Sequence, residues 1–146
     1  GGNLAEQLIA DLSADFAGTQ VDRNDNYLGD VPQTRWWKPT ILLANTWSYS
    51  DGSIFPHLYK SAGLGKFVGT PVPGTGTSVW QIYLFHNKFV YAFPELGRKD
   101  PEGNYFEGNQ DEPDILVHNT PDSIEEGRDL QLEAAVKALL EQLDQR

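Results

Sequence analysis

A chain of 146 residues, 39% of them apolar and with four Trp, six Tyr and seven Phe, can bury one core but is too short for two ordinary domains. Its net charge of −10 repels phosphate backbones and argues against nucleic acid as a partner. No stretch approaches the roughly 20 apolar residues of a membrane helix, and a chain without cysteine has no disulfide, thiol nucleophile or thiolate metal site.

The chain also lacks Met and begins Gly-Gly-Asn, so we expect a processed product or a piece of a longer polypeptide, with sequence upstream. Leu4, Leu8, Ile9, Leu12 and Phe16 recur at helical spacing, with Asn3 as N-cap and Gly18 as the stop. Residues 19–39, rich in Asp, Asn and Gly and containing Trp36-Trp37, read as a long loop. The two Trp side chains suit a core, a lid or a subunit contact equally well.

Residues 40–46 predict a strand and 51–63 a helix ending at Gly63. Lys66 to Gly69 predicts a short strand, followed by the Pro/Gly loop Pro71 to Thr77. Ser78–Phe85 and Phe89–Phe93 read as two strands joined by a turn at His86-Asn87-Lys88. A polar turn around Asp100–Asn104 and a strand at Ile115–Val117 come next. Asp129 is placed to cap a final helix with Leu132, Ala135, Val136, Leu139, Leu140 and Leu143 on one face, expected to pack into the core. Alternating helices and strands predict an α/β fold in one unit spanning 1–146.

The segment Thr46–Ser53 carries the chemistry. An apolar strand that turns sharply into a helix at Ser50 lifts that hydroxyl to the rim of the sheet, beside the helix's free N–H groups. Such an arrangement suits a nucleophile with an oxyanion site, and it equally describes a serine that merely caps a helix. Ser48 and Ser53 are the fallback hydroxyls. The acids Glu102, Asp111 and Glu112 read as solvated turn charges, and no metal-ligand spacing is evident, so neither metal nor cofactor is expected.

Several motifs in order resemble one family: Gly-Gly-Asn-Leu before a helix, Ser50-Asp51-Gly52 after a strand, Leu64–Gly69, Pro73–Thr77, Tyr105-Phe106-Glu107, Glu112-Pro113-Asp114 and Gly127–Val136. Together they resemble the C-terminal part of the tail-specific serine peptidases, nearest the tricorn-type branch. The resemblance implies a ClpP/crotonase-like core of ββα units, incomplete in this chain. It implies catalysis by a Ser–His pair supported by a further Ser and a Glu, with Ser50 at the nucleophile position and Glu107 at the supporting acid. The family commonly has Asn after that acid, where this chain has Gly108. In the other branch a lysine of the Pro/Gly loop acts as base; Thr75 occupies that place here.

The resemblance assigns the oxyanion donors to the backbone N–H of Asp51 and to a glycine before the first helix, Gly2 or Gly1. It places the histidine base upstream of this chain. His57 is no substitute, lying about 10.5 Å from Ser50 along the predicted helix, and His86 and His118 read as surface residues. Gly74, Thr75, Gly76 and Thr77 form either a simple turn or a cleft wall that pairs with an extended peptide. The implied partners are a peptide or unfolded protein substrate, the upstream part of the same polypeptide, and further copies in a homo-oligomer. The competing readings are a peptidase-like module that binds peptides without turnover, or a structural piece that completes an assembly. Composition assigns no compartment.

Overall fold

The computed structural model describes residues 2–144. In chain order they form α1 (Ala5–Ser13), a hairpin of β1 (Gly18–Val21) and β2 (Tyr27–Val31), then β3 (Leu42–Ala44), α2 (Asp51–Ser61) and β4 (Phe67–Gly69). A long hairpin of β5 (Ser78–Leu84) and β6 (Phe89–Leu96) follows, then β7 (Ile115–Leu116), α3 (Pro121–Glu125) and α4 (Leu130–Asp144).

The centre is a parallel sheet in the order β3-β4-β7, with Leu42 opposite Phe67 and Val68 opposite Ile115. A central parallel strand is covered on both faces and so reads as continuously apolar. Phe67 and Val68 are both fully buried. Phe67 joins Leu42, Tyr59 and Val72, with Ile9 and Leu12 of α1 packed against them. Alternation turns Val68 to the other face, and α4 packs along β3 and β4. Ala5, Ile54 and Phe106 form a second cluster that joins α1, α2 and the segment carrying Glu107.

Several expected boundaries move, each for a local reason. The helix at the start ends at Ser13, whose hydroxyl donates back to the Ile9 carbonyl at 2.7 Å and competes with the helical ladder. Phe16 therefore lies outside α1, under the Arg35 guanidinium. Asn3 does not cap α1; Leu4 holds the N-cap position, and no side chain there caps the helix. The expected loop 19–39 contains β1 and β2, closed by Asp22 accepting the Asn24 and Asn26 amides at 2.8 and 2.9 Å. Trp36 and Trp37 are both exposed, which removes the core reading.

The expected strand 40–46 shortens to β3 because Asn45 folds the chain away from the sheet, its side chain accepting the Trp47 amide at 2.9 Å. At the β5–β6 turn, Phe85, His86 and Asn87 all take left-handed backbone, as the expected tight turn requires. α4 starts where expected, with Asp129 accepting the Gln131 and Leu132 amides at 3.1 Å each. Its buried face, however, is Ala135 and Ala138. Leu132, Val136, Leu140 and Leu143 stay exposed, contrary to their expected place in the core. The small residues let α4 sit close on the sheet and turn the larger ones outward.

Candidate active site

Ser50 sits between β3 and α2 with φ 57° and ψ −125°, a conformation that costs a non-glycine residue roughly 1–3 kcal/mol. It persists because its neighbours fix the backbone on both sides. The Ser50 amide donates to Thr75 Oγ1 at 2.9 Å, and the Ser50 carbonyl accepts the Ser53 and Ile54 amides at 2.8 and 3.0 Å. Its hydroxyl makes no capping hydrogen bond, so the side chain is not used as an N-cap. The strained turn instead presents the half-buried serine to a cleft of about 600 Å³.

Glu107 lines the same cleft, as do Gly2, Thr75 and Thr77. Glu107 Oε2 accepts the Gly76 and Thr77 amides at 2.9 and 2.8 Å. Hydrogen bonding from the Thr77 side chain, then from the two amides, holds its carboxyl below the ordinary value of 4.5 against the opposing effect of desolvation. Glu107 is therefore a fixed anion in the cleft wall at neutral pH.

The Pro/Gly loop is built for this contact. The Gly108 amide donates to the Gly74 carbonyl at 2.8 Å, laying the loop directly on the 106–109 turn. A Cβ on Gly74 would collide with the Asn109 and Phe106 carbonyls, and one on Gly76 would come within 2.8 Å of the Phe106 Cβ. Gly108 itself has φ 77°, a left-handed position that glycine adopts at no steric cost and that Asn also tolerates.

The fallback serines are spent elsewhere. Ser53 is buried, its hydroxyl donating to the Pro73 carbonyl and accepting the Thr75 amide at 3.1 Å. Ser48 Oγ accepts the Asn45 amide. His57 pairs through Nδ1 with Asp111 Oδ1 at 3.1 Å and stacks on Phe106 at 3.8 Å between centroids, so Asp111 is not a free turn charge. His86 and His118 are exposed. Among the described residues, no His or Lys lines the cleft.

Arg98 was not apparent from sequence, nor were the side-chain roles of Thr75 and Asp51. Arg98 donates from Nη1 to the Gly76 carbonyl and Ser78 Oγ at 3.2 and 3.1 Å, while its own carbonyl accepts the Phe106 amide at 3.0 Å. It thus ties both sides of the Glu107 contact together and brings a cation into the cleft wall. The Thr75 hydroxyl accepts the Ser50 amide and so holds the strained turn. The Asp51 carboxylate reaches back to accept the Leu4 and Ala5 amides at 2.8 and 3.0 Å. Of the expected oxyanion residues, Asp51 follows Ser50 at the start of α2 and Gly2 lines the cleft, while Gly1 lies outside the described residues. Among the described residues no group of three or more His, Asp or Glu is arranged to hold a metal.

The family model of peptidase family S41 matches residues 2–117, and the chain belongs to that family.

Within it, the similar proteins include several of the tricorn type. The chain is 29% identical over 146 residues to the tricorn protease homolog of Saccharolobus solfataricus, covering 98% of this chain and 13% of that protein. It is 29% identical over 144 residues to the tricorn protease of Thermoplasma acidophilum, again covering 98% of this chain and 13% of the other. The solved structure of the tricorn protease superposes with a TM-score of 0.82 at 26% identity, over 99% of this chain and 14% of that one. At 23% identity and a TM-score of 0.56, mature CPAF shares the fold. The α/β, ClpP/crotonase-like architecture and the tricorn-type kinship expected from the motifs both hold. The chain spans about one-seventh of the length of the tricorn relatives.

Proposed function

We propose that these 146 residues are the C-terminal part of a serine peptidase catalytic domain, in which Ser50 attacks the carbonyl of an extended peptide. The observation that carries this reading is the Ser50 turn itself. A serine held at positive φ with an uncommitted hydroxyl, in one cleft with a fixed carboxylate, spends folding energy on a geometry that capping a helix does not need.

In the proposed reaction Ser50 Oγ bonds to the scissile carbonyl carbon as its proton passes to a histidine from the upstream part of the same polypeptide. The carbonyl oxygen becomes an oxyanion held by the Asp51 and Gly2 amides. The amine then leaves with the proton, and water cleaves the acyl-enzyme. Glu107, held by the 76–77 loop, orients the histidine system through hydrogen bonds. Thr75, Thr77, Ser78 and Val79 follow one another along the cleft, which supports an extended substrate lying beside this run. The substrate class in this reading is an unfolded peptide or protein tail.

One observation favours a second reading, a peptide-binding module without turnover: the described cleft lining holds no base. Hydrolysis of an unstructured peptide by the full-length polypeptide separates the two. We expect turnover that Ser50→Ala lowers by at least about 1,000-fold. Peptide binding with no turnover in either protein selects the module.

A further inference from the structure

Asp51 stands first in α2, directly after the strained serine, and the hydrogen bonds of its carboxylate go to another helix. Oδ2 instead accepts the Leu4 and Ala5 amides, more than 40 residues away in sequence. These are orphan donors at the start of α1, a helix with no capping side chain of its own. The residues just before them, Gly2 and Asn3, run along the wall of the cleft that contains Ser50. One residue thus has two attachments. Its peptide N–H belongs to the turn that carries Ser50, and its side chain grips the start of α1, next to the Gly2–Asn3 stretch of the cleft wall.

Ala5 explains why this grip matters to position more than to folding. It is 2% exposed and packs with Ile54 and Phe106, so α1 stays docked through its apolar face. Without the carboxylate, the two amides lose their acceptor and the Gly2–Asn3 stretch loses its tether to α2.

We propose that the Asp51 side chain is a positioning residue for the oxyanion pocket: it holds the Gly2–Asn3 segment against the start of α2, so that backbone donors from two distant stretches converge beside Ser50. This rests on the peptidase reading of the site. It adds a role for the side chain, because every substitution at 51 except proline keeps the backbone N–H, and those without a side-chain acceptor lose the tether.

The test compares a peptide aldehyde, whose carbonyl is captured by Ser50 as a tetrahedral adduct, with the matching peptide alcohol, which binds without forming one. Both are titrated against the full-length protein and its Asp51→Ala and Asp51→Asn variants, with thermal melts alongside. We expect Asp51→Ala to lower the aldehyde-to-alcohol affinity ratio and kcat by about 100-fold, with KM within about threefold of wild type. The Asp51→Asn side chain still offers a carbonyl oxygen to the two amides, so this variant should recover at least about tenfold of that loss. An unchanged ratio in a folded Asp51→Ala protein overturns the proposal, as does a loss in Asp51→Asn equal to that in Asp51→Ala. If Asp51→Ala fails to fold, Asp51→Asn decides alone: a ratio within about tenfold of wild type supports tethering by hydrogen bonds, and a larger fall overturns it. A wild-type protein that captures no aldehyde refutes the peptidase reading itself, a result distinct from any difference among the variants.

Discussion

Glu107 shows how a single residue joins stability to chemistry in this site. Its Oε2 gathers two amides from the Pro/Gly loop, and those bonds favour the ionised form. Because the folded value lies below the ordinary 4.5, the stability it contributes is fully present above that pH and is lost as pH falls through the folded value. Glu107→Gln keeps the shape and removes the charge. We expect a 10- to 100-fold fall in kcat/KM, the usual range for losing a charge-assisted hydrogen bond. Melting curves supply the second readout. The gap in Tm between wild type and Glu107→Gln should be wide near about pH 6 and narrow progressively as the pH falls below the ordinary 4.5 and through the folded value. A gap that stays constant across that range would show that the ionised carboxylate is not what holds the loop.

At the same scale, what sequence disclosed and what it hid divide by reach. The Ser50 turn was legible because an apolar strand, a polar turn and a helical pattern adjoin in sequence. That its hydroxyl caps nothing was not legible, since the amide's partner Thr75 comes from another loop. The Asp51 grip on Leu4 and Ala5 is equally long-range, and no local pattern signals it. Pro113-Asp114 was recognisable only as a motif. The fold gives it a physical task, with Asp114 Oδ2 accepting the Phe67 amide at 2.7 Å and so fixing the central strand.

Among the elements, the Pro/Gly loop is the one whose shape the site depends on most directly. It lies against the 106–109 turn with no room for a side chain at Gly74 or Gly76. Gly76→Ala drives a methyl into the Phe106 Cβ and displaces the amide that Glu107 accepts. We expect a destabilisation of about 1–3 kcal/mol, as for other overpacking changes, and a fall in peptidase rate of at least about tenfold. Thermal unfolding and steady-state hydrolysis on the same preparation check this. An unchanged Tm and rate would mean that the loop does not pack as described.

Element boundaries were legible where burial is periodic and lost where it is not. The 3.6-residue pattern found α1, α2 and α4, and the apolar run found β4. The β1–β2 hairpin has mostly exposed residues and no alternation to reveal it. Helix α3 went unnoticed although it carries a local signature: Thr120 as N-cap, Pro121 at the first helical position, and a reciprocal capping box with Ser123. The outward turn of the α4 leucines is a packing outcome, set by Ala135 and Ala138 fitting closely against the sheet.

On the scale of the whole molecule, the described residues hold the Ser50 cleft and much uncovered apolar surface. Every residue of β5 and β6 is exposed, Trp80, Tyr83, Tyr91 and Phe93 among them. A two-stranded ribbon is marginal by itself in water, and apolar exposure on this scale marks a surface that meets other protein. The ribbon rises from the cleft rim, where Val79 and Pro94 line the site. The chain spans 13% of its tricorn relatives, and the uncovered ribbon accords with the proposal that it is one portion of a larger catalytic domain.

The measurement closest to the central claim is the site of covalent capture by a fluorophosphonate in the full-length protein. An activated serine displaces fluoride and keeps the phosphonyl group, and peptide mass mapping then locates the adduct. Ser48 and Ser53 share a peptide with Ser50, so fragment-ion sequencing assigns the residue; one adduct is expected, on Ser50, and none after Ser50→Ala. An adduct on Ser48 or Ser53 instead, or no adduct in a protein that hydrolyses peptides, would contradict it.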